Sequence, residues 1–196
     1  MKHPGLINKS SALQPKEFKW TNENLKKIES IIEKYPKNRK QSAVLPILDL
    51  AQRQNNGWLS QKAIENVSKT LDMSFIRVME IATFYSMFNL EPIGKYFIQL
   101  CRTTPCWLKG SDKLLNTAKN ITGCELGFTS KDKLFTLVEV ECLGACCNAP
   151  TVQINDNYYE DLNEETFAKI LINLKNNNQI KKGSQIGRQS SHPKRV

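Results

Sequence analysis

Near Gly94 the hydrophobic period of this chain changes from that of a helix to that of a strand. Upstream, apolar residues recur every three or four positions. Downstream, Tyr96, Ile98 and Leu100 alternate with Phe97 and Gln99. No single regular element accommodates both patterns, because a strand turns one face every second residue and a helix one face per turn. The chain must therefore fold as a helical part followed by a part that contains a sheet. At 196 residues it is long enough for one good core or two small ones.

The helical part reads as four short amphipathic segments. Thr21 is a good N-cap, with Trp20 and Leu25 at the two positions of a hydrophobic staple. Leu25, Ile28, Ile32 and Tyr35 follow at helical spacing until Pro36. A second helix starts after Ser42 and uses Val44, Leu45, Leu48 and Ala51, with Pro46 tolerated in the first turn. Asn55-Asn56-Gly57 stops it. Ser60 caps a third helix carrying Ile64, Val67 and Leu71. Ser74 caps a fourth, whose Phe75, Val78, Met79, Ala82 and Tyr85 share one face at core spacing.

After Gly94 come a strand ending at Cys101 and a helix from about Ser111 to Ile121 that ends at Gly123. Strand-like segments follow at 135–142, 151–154 and 158–162, with Asn155-Asp156-Asn157 as a turn. A final helix, from about Glu164 to Leu174, places Phe167, Ile170, Leu171 and Leu174 on one side. The expected fold class is thus α+β or α/β: an N-terminal helical bundle, then a thioredoxin-like layer with a parallel crossover and a terminal hairpin. The expected divisions are a flexible arm at 1–19, helices at 20–92, the layer at 93–175 and a basic, unpacked tail at 176–196.

The net charge of +9 sits at the two ends. Residues 1–40 carry ten Lys or Arg against four Asp or Glu, and residues 166–196 carry seven and none. No aromatic residues interleave the basic ones for base stacking, so solubilising or docking tails are expected and nucleic acid is not an expected partner. No apolar run approaches the about 20 residues that cross a bilayer. The N-terminus has neither a secretory h-region nor an Arg-rich transit pattern, so the cysteines are expected as reduced thiols or metal ligands. No phosphate loop, dinucleotide fingerprint or nucleophile–base pair is present.

Six cysteines include two tight pairs, Cys101 with Cys106 (C-x4-C) and Cys142 with Cys146 (C-x3-C). Each pair falls in a loop at the C-terminal end of an expected strand, where the loops of an α/β layer collect on one edge. Soft thiolates suit iron–sulfur centres, and four of them hold a [2Fe–2S] cluster, two to each iron. Structural zinc also takes four cysteines but favours C-x2-C pairs, and a dithiol enzyme wants C-x-x-C, which is missing. Arg102 and Lys109 are near enough in sequence to offset the cluster's negative charge. Cys147 reads as a small buried hydrophobe rather than a ligand, and Cys124 as structural. His3 and His192, in the tails, are poor ligand candidates.

CRTTPCWLKGSD (101–112), VECLGACCNAP (140–150) and VQINDNYYEDL (152–162) resemble the small [2Fe–2S] subunit family of respiratory complex I. That family comprises the small iron–sulfur subunit of bacterial NADH–quinone oxidoreductase and the related mitochondrial flavoprotein subunit. KYP (34–36), AVLPILDLAQRQNNGWLS (43–60) and EIATFYSMF (80–88) resemble its helical domain, and the likeness runs over about residues 17–175. The resemblance implies one [2Fe–2S] cluster held by Cys101, Cys106, Cys142 and Cys146. It also implies a place in a hetero-oligomer beside the flavoprotein subunit, which carries FMN and NADH, and other peripheral-arm subunits. Electrons would pass singly to and from that flavin, with no complete active site on this chain and no membrane span. The cytoplasmic face of a bacterial inner membrane is the expected location, or the matrix side for an organellar chain. A diaphorase subunit of an NAD-linked hydrogenase or formate dehydrogenase, and a zinc-stabilised interaction module, are the alternatives. Family members usually carry an aliphatic residue where Cys147 stands.

Overall fold

The computed structural model describes residues 14–190. The chain divides into two compact units, Met1–Pro92 and Ile93–Val196. The first contains α1 (Asn22–Ile32), a 3-10 segment (Lys37–Ala43), α2 (Val44–Gln54), α3 (Gln61–Leu71) and α4 (Phe75–Phe84).

Side-chain caps set the starts of α1 and α3, whereas Ser74 at the start of α4 makes no capping hydrogen bond. Thr21 accepts a hydrogen bond from the Asn24 amide, and Ser60 from the Ala63 amide. Pro46 occupies the third position of α2, where a backbone donor has no acceptor to lose. Ile28, Ile47, Leu48, Ala51, Ile64, Val67, Leu71, Val78 and Ala82 form the core of this unit.

Three expectations need correction. Leu25 is exposed rather than stapled to Trp20. Trp20 instead packs edge-on against Phe18 and donates to the Thr70 hydroxyl at 3.0 Å. Phe75 and Tyr85 are exposed, because the ten-residue α4 packs along a narrow Val78–Ala82 seam that its ends overrun. Residues 14–19 are not a loose arm: Gln54 and Asn66 donate to the Lys19 and Phe18 carbonyls at 2.8 and 3.0 Å. Residues 1–13 of the expected arm, His3 among them, lie outside the described residues.

The second unit contains β1 (Tyr96–Cys101), α5 (Thr104–Leu108), α6 (Ser111–Thr122), β2 (Phe128–Thr129) and β3 (Phe135–Val140). There follow β4 (Val152–Ile154), β5 (Asn157–Glu160), α7 (Glu164–Lys175) and β6 (Gly183–Ser184). The strand order is β2-β3-β1-β4-β5-β6. β1 and β3 are parallel, registered from Tyr96↔Phe135 to Cys101↔Val140. β4 lies antiparallel to β1, and β4–β5 is the expected hairpin. Leu114 and Ala118 of α6 and Phe167, Ile170, Leu171 and Leu174 of α7 bury against Ile98, Leu100, Leu137, Val152 and Ile154 of the sheet.

Gly94 sits where the period changes for a steric reason. A Cβ there would come within 2.7 Å of the Phe135 carbonyl carbon, and its amide donates to the Thr136 hydroxyl at 2.6 Å. Within the tail, the described segment 183–190 is not unpacked as its polar composition suggests. Residues 183–184 add β6 in parallel to the free edge of β5. Strand addition is satisfied by backbone groups and needs no apolar side chains. His192 and the rest of 191–196 lie outside the described residues.

Candidate metal centre

Because β1 and β3 are parallel neighbours, both deliver their C-terminal ends to one edge of the sheet. Cys101 is the last residue of β1 and is buried. Thr103 stands at the N-cap position of the short α5 without a side-chain capping bond, Pro105 lies in its first turn, and Cys106 is buried inside it. This helix stands where the sequence suggested a plain loop. Thr103 Oγ1 lies 3.3 Å from Cys101 Sγ.

β3 ends at Val140, and the chain turns through Cys142 and Gly144 to a 3-10 segment at Cys146–Asn148. Gly144 adopts φ 81°, a left-handed conformation that glycine takes without a Cβ clash. Its amide thereby points at Cys142 Sγ, 3.4 Å away. Cys142 Sγ and Cys146 Sγ are 3.3 Å apart. The Tyr158 hydroxyl donates to the Leu143 carbonyl at 2.6 Å and pins the middle of this loop.

The two loops meet. Burial pushes the Cys101 thiol up, but hydrogen bonds from the Thr103 hydroxyl and the Leu143 and Thr103 backbones outweigh it, and the net shift is downward. The Gly144 amide and Cys146 lower the Cys142 thiol. The hydrogen bond to Cys142 raises Cys146, with burial in support. Burial pushes Cys106 up to about 12 against the Thr151 backbone, with Cys101 and Cys146 adding to the rise. The surroundings thus shift Cys101 and Cys142 down and Cys106 and Cys146 up, one of each direction in either pair.

All four expected cysteines thus lie on the loops at one edge of the sheet, arranged as two pairs. Among the described residues no three His, Cys, Asp or Glu side chains form a ready site for a single metal ion. A two-iron cluster asks instead for two pairs of soft donors with amide N–H groups turned toward sulfur. The donor set present here fits that requirement.

Two neighbouring expectations change. Cys147 is exposed, not a buried hydrophobe, because the 3-10 turn carries it away from the core. Arg102 is drawn off by Asp112 and Glu139 and is not a free cation for the centre. Cys124 is buried, with its thiol 3.4 Å from the Phe135 carbonyl, as a structural cysteine should be. Lys109 lines a groove of about 550 Å³ together with Pro105, Leu108, Cys146, Cys147 and Arg188. Sequence reasoning missed Thr103, Tyr158 and Arg188. Tyr158 is only partly buried in β5, and no period marks it out.

Residues 28–175 match the model of the thioredoxin-like [2Fe–2S] ferredoxin family. An NADH-quinone oxidoreductase subunit of Rickettsia typhi is 57% identical over 154 residues, 79% of this chain and 91% of the relative. The mitochondrial NADH dehydrogenase [ubiquinone] flavoprotein 2 of Dictyostelium discoideum is 48% identical over 174 residues, 89% of this chain and 70% of the relative. Among solved structures, an air-oxidised NAD+-reducing [NiFe]-hydrogenase aligns with TM-score 0.59 and 19% identity over 66% of this chain. The chain spans 23% of that hydrogenase chain's length, and the likeness is one of fold. With a family model spanning most of its length and relatives near half identity, the chain belongs to the thioredoxin-like [2Fe–2S] ferredoxin family.

Proposed function

We propose that this chain is the electron-transfer subunit of an NADH–quinone oxidoreductase. In this reading Cys101, Cys106, Cys142 and Cys146 ligate one [2Fe–2S] cluster. The observation that carries it is the placement of two cysteine pairs on loops leaving adjacent parallel strands. Its support is the 57% identity to a protein named as a subunit of that enzyme. The hydrogenase likeness, at 19% identity, carries no such weight.

When bound, the cluster supplies reversible one-electron acceptance. The chain's own groups prepare the ligands. The Gly144 amide and the Thr103 hydroxyl favour the thiolate forms of Cys142 and Cys101. All four thiols would lose their protons on ligation, so metal binding would be coupled to pH. Tyr158 and the α5 turn fix the loops so that little backbone order remains to be imposed by the metal.

The chain acts as one subunit of a larger complex. Its partner on the sulfur-bearing edge is the flavoprotein subunit that carries FMN and NADH, and it lies on the cytoplasmic face of a bacterial membrane. Among the described residues no helix is long and apolar enough to cross a membrane. Anaerobic purification followed by visible and EPR spectroscopy tests the cluster. A reduced-state EPR signal with about two irons per chain is expected. A colourless protein with one bound zinc ends the reading. Co-purification with a flavoprotein and a quinone-reducing membrane arm, rather than with a hydrogenase, tests the complex.

A further inference from the structure

The segment 183–190 carries little apolar anchorage, since Ile186 is exposed, yet it is docked through a chain of polar contacts that ends on the second cysteine loop. Gly183 and Ser184 pair with Tyr159 and Glu160, and the Gln185 amide donates to the Glu160 carbonyl at 3.0 Å. The Ser184 hydroxyl donates to Asp161 Oδ2 at 2.5 Å and accepts from the Arg188 amide at 3.2 Å. Asp161, whose side chain is only 6% exposed, is ion-paired with Arg188. The same guanidinium donates through Nη2 to the Cys147 carbonyl at 2.9 Å. One residue further on, Asn148 Nδ2 donates to the Gln189 carbonyl and to Glu160 Oε2, each at 2.7 Å.

We propose that Arg188 is a positioning residue for the metal centre, and that residues 183–190 clasp the loop bearing Cys142 and Cys146. This rests on the cluster reading above. Arg188 joins Asp161, at the end of β5, to the peptide that follows Cys147. It therefore fixes the 3-10 turn that aims Cys146 at Cys142. A guanidinium presents several donors in a rigid fork and serves both partners at once, which the ammonium of a lysine does not reproduce in the same geometry. Partners of this kind, one step removed from a metal, orient ligands and hold metal in place.

The test uses the full-length chain with its cluster. Arg188→Ala is expected to speed chelator-driven bleaching of the cluster about tenfold, as loss of a supporting partner does. It is also expected to change the reduced-state EPR line shape, while far-UV circular dichroism stays the same. Arg188→Lys recovers part of the loss. Lys182→Ala, which changes tail charge alone, leaves bleaching as it was. In the wild-type chain, hydrogen exchange finds the amides of 183–188 protected. Equal bleaching and identical EPR in Arg188→Ala and wild type overturn the clasp alone, as do unprotected amides in that segment should the variant not fold. A wild-type chain without the cluster signal overturns both this proposal and the function beneath it.

Discussion

Arg102 and Glu139 face each other across the parallel strand pair, with Nη1 to Oε2 at 2.9 Å. The same guanidinium reaches Asp112 through Nε at 3.1 Å and Nη2 at 2.5 Å. One side chain thus joins the exit of β1, the first turn of α6 and β3, one residue along the chain from Cys101. Arg102→Gln is expected to lower stability by about 1–2 kcal/mol, the lower part of the range for charged hydrogen bonds because both carboxylates keep solvent contact. Urea unfolding measures it. Glu139→Gln in the Arg102→Gln background should cost much less than alone, and additive losses would show the pair to be independent.

Neighbouring cysteines are expected to answer differently to the same substitution. Cys146 Sγ lies 3.3 Å from Cys142 Sγ, whereas Cys147 is held by its carbonyl, which accepts from Arg188 Nη2 at 2.9 Å. Cys146→Ser should abolish or reshape the EPR signal, and Cys147→Ser should leave it unchanged. The reverse pattern would exchange the two assignments.

Tyr159 gives the fold an alkaline limit. Burial pushes its phenol up to about 12. The folded state therefore favours the neutral ring, and the associated stability is complete below the ordinary tyrosine pKa of about 10. It is lost as pH rises through the folded value. Tyr159→Phe should show a shallower fall in unfolding free energy above about pH 10 than the wild type. Parallel curves for the two proteins would refute this contribution.

At Gly94 the constraint is steric. A Cβ would lie 2.7 Å from backbone carbon of Phe135 and 2.9 Å from the Phe135 nitrogen, and backbone does not move aside as a side chain does. Gly94→Ala should destabilise by about 1–3 kcal/mol, the range for forced overpacking. Thermal melting would detect it, and an unchanged melting temperature would mean that β3 can shift.

The apolar periods were enough to read the helical unit, the β1–β3 crossover, the β4–β5 hairpin and the buried face of α7, because packing selects side chains at those positions. Phe167, Ile170, Leu171 and Leu174 are all buried. The failures share a cause. α5 has five residues and β6 two, too short for any period to register. Phe75 and Tyr85 match a helical stripe yet stay exposed, since periodicity gives the face but not how far the opposing surface extends. The four cysteines proposed as ligands stand out by residue type and spacing. Their supports, the Leu143 backbone and Arg188, do not, because a main-chain donor has no letter of its own and a tail arginine resembles any other basic residue.

The parallel register has a bearing on how this chain tolerates changes in length. The spacing between the cysteine pairs is set by the pairing of Cys101 with Val140, not by the number of residues between the loops. Residues added in the α6–β2 connection would be absorbed at the surface, where loop length is cheap in free energy. One residue added within β1 or β3 would turn every later side chain of that strand to the opposite face. Length is thus free to drift in one stretch of this unit and held fixed in another, and the dividing line is where the strands begin.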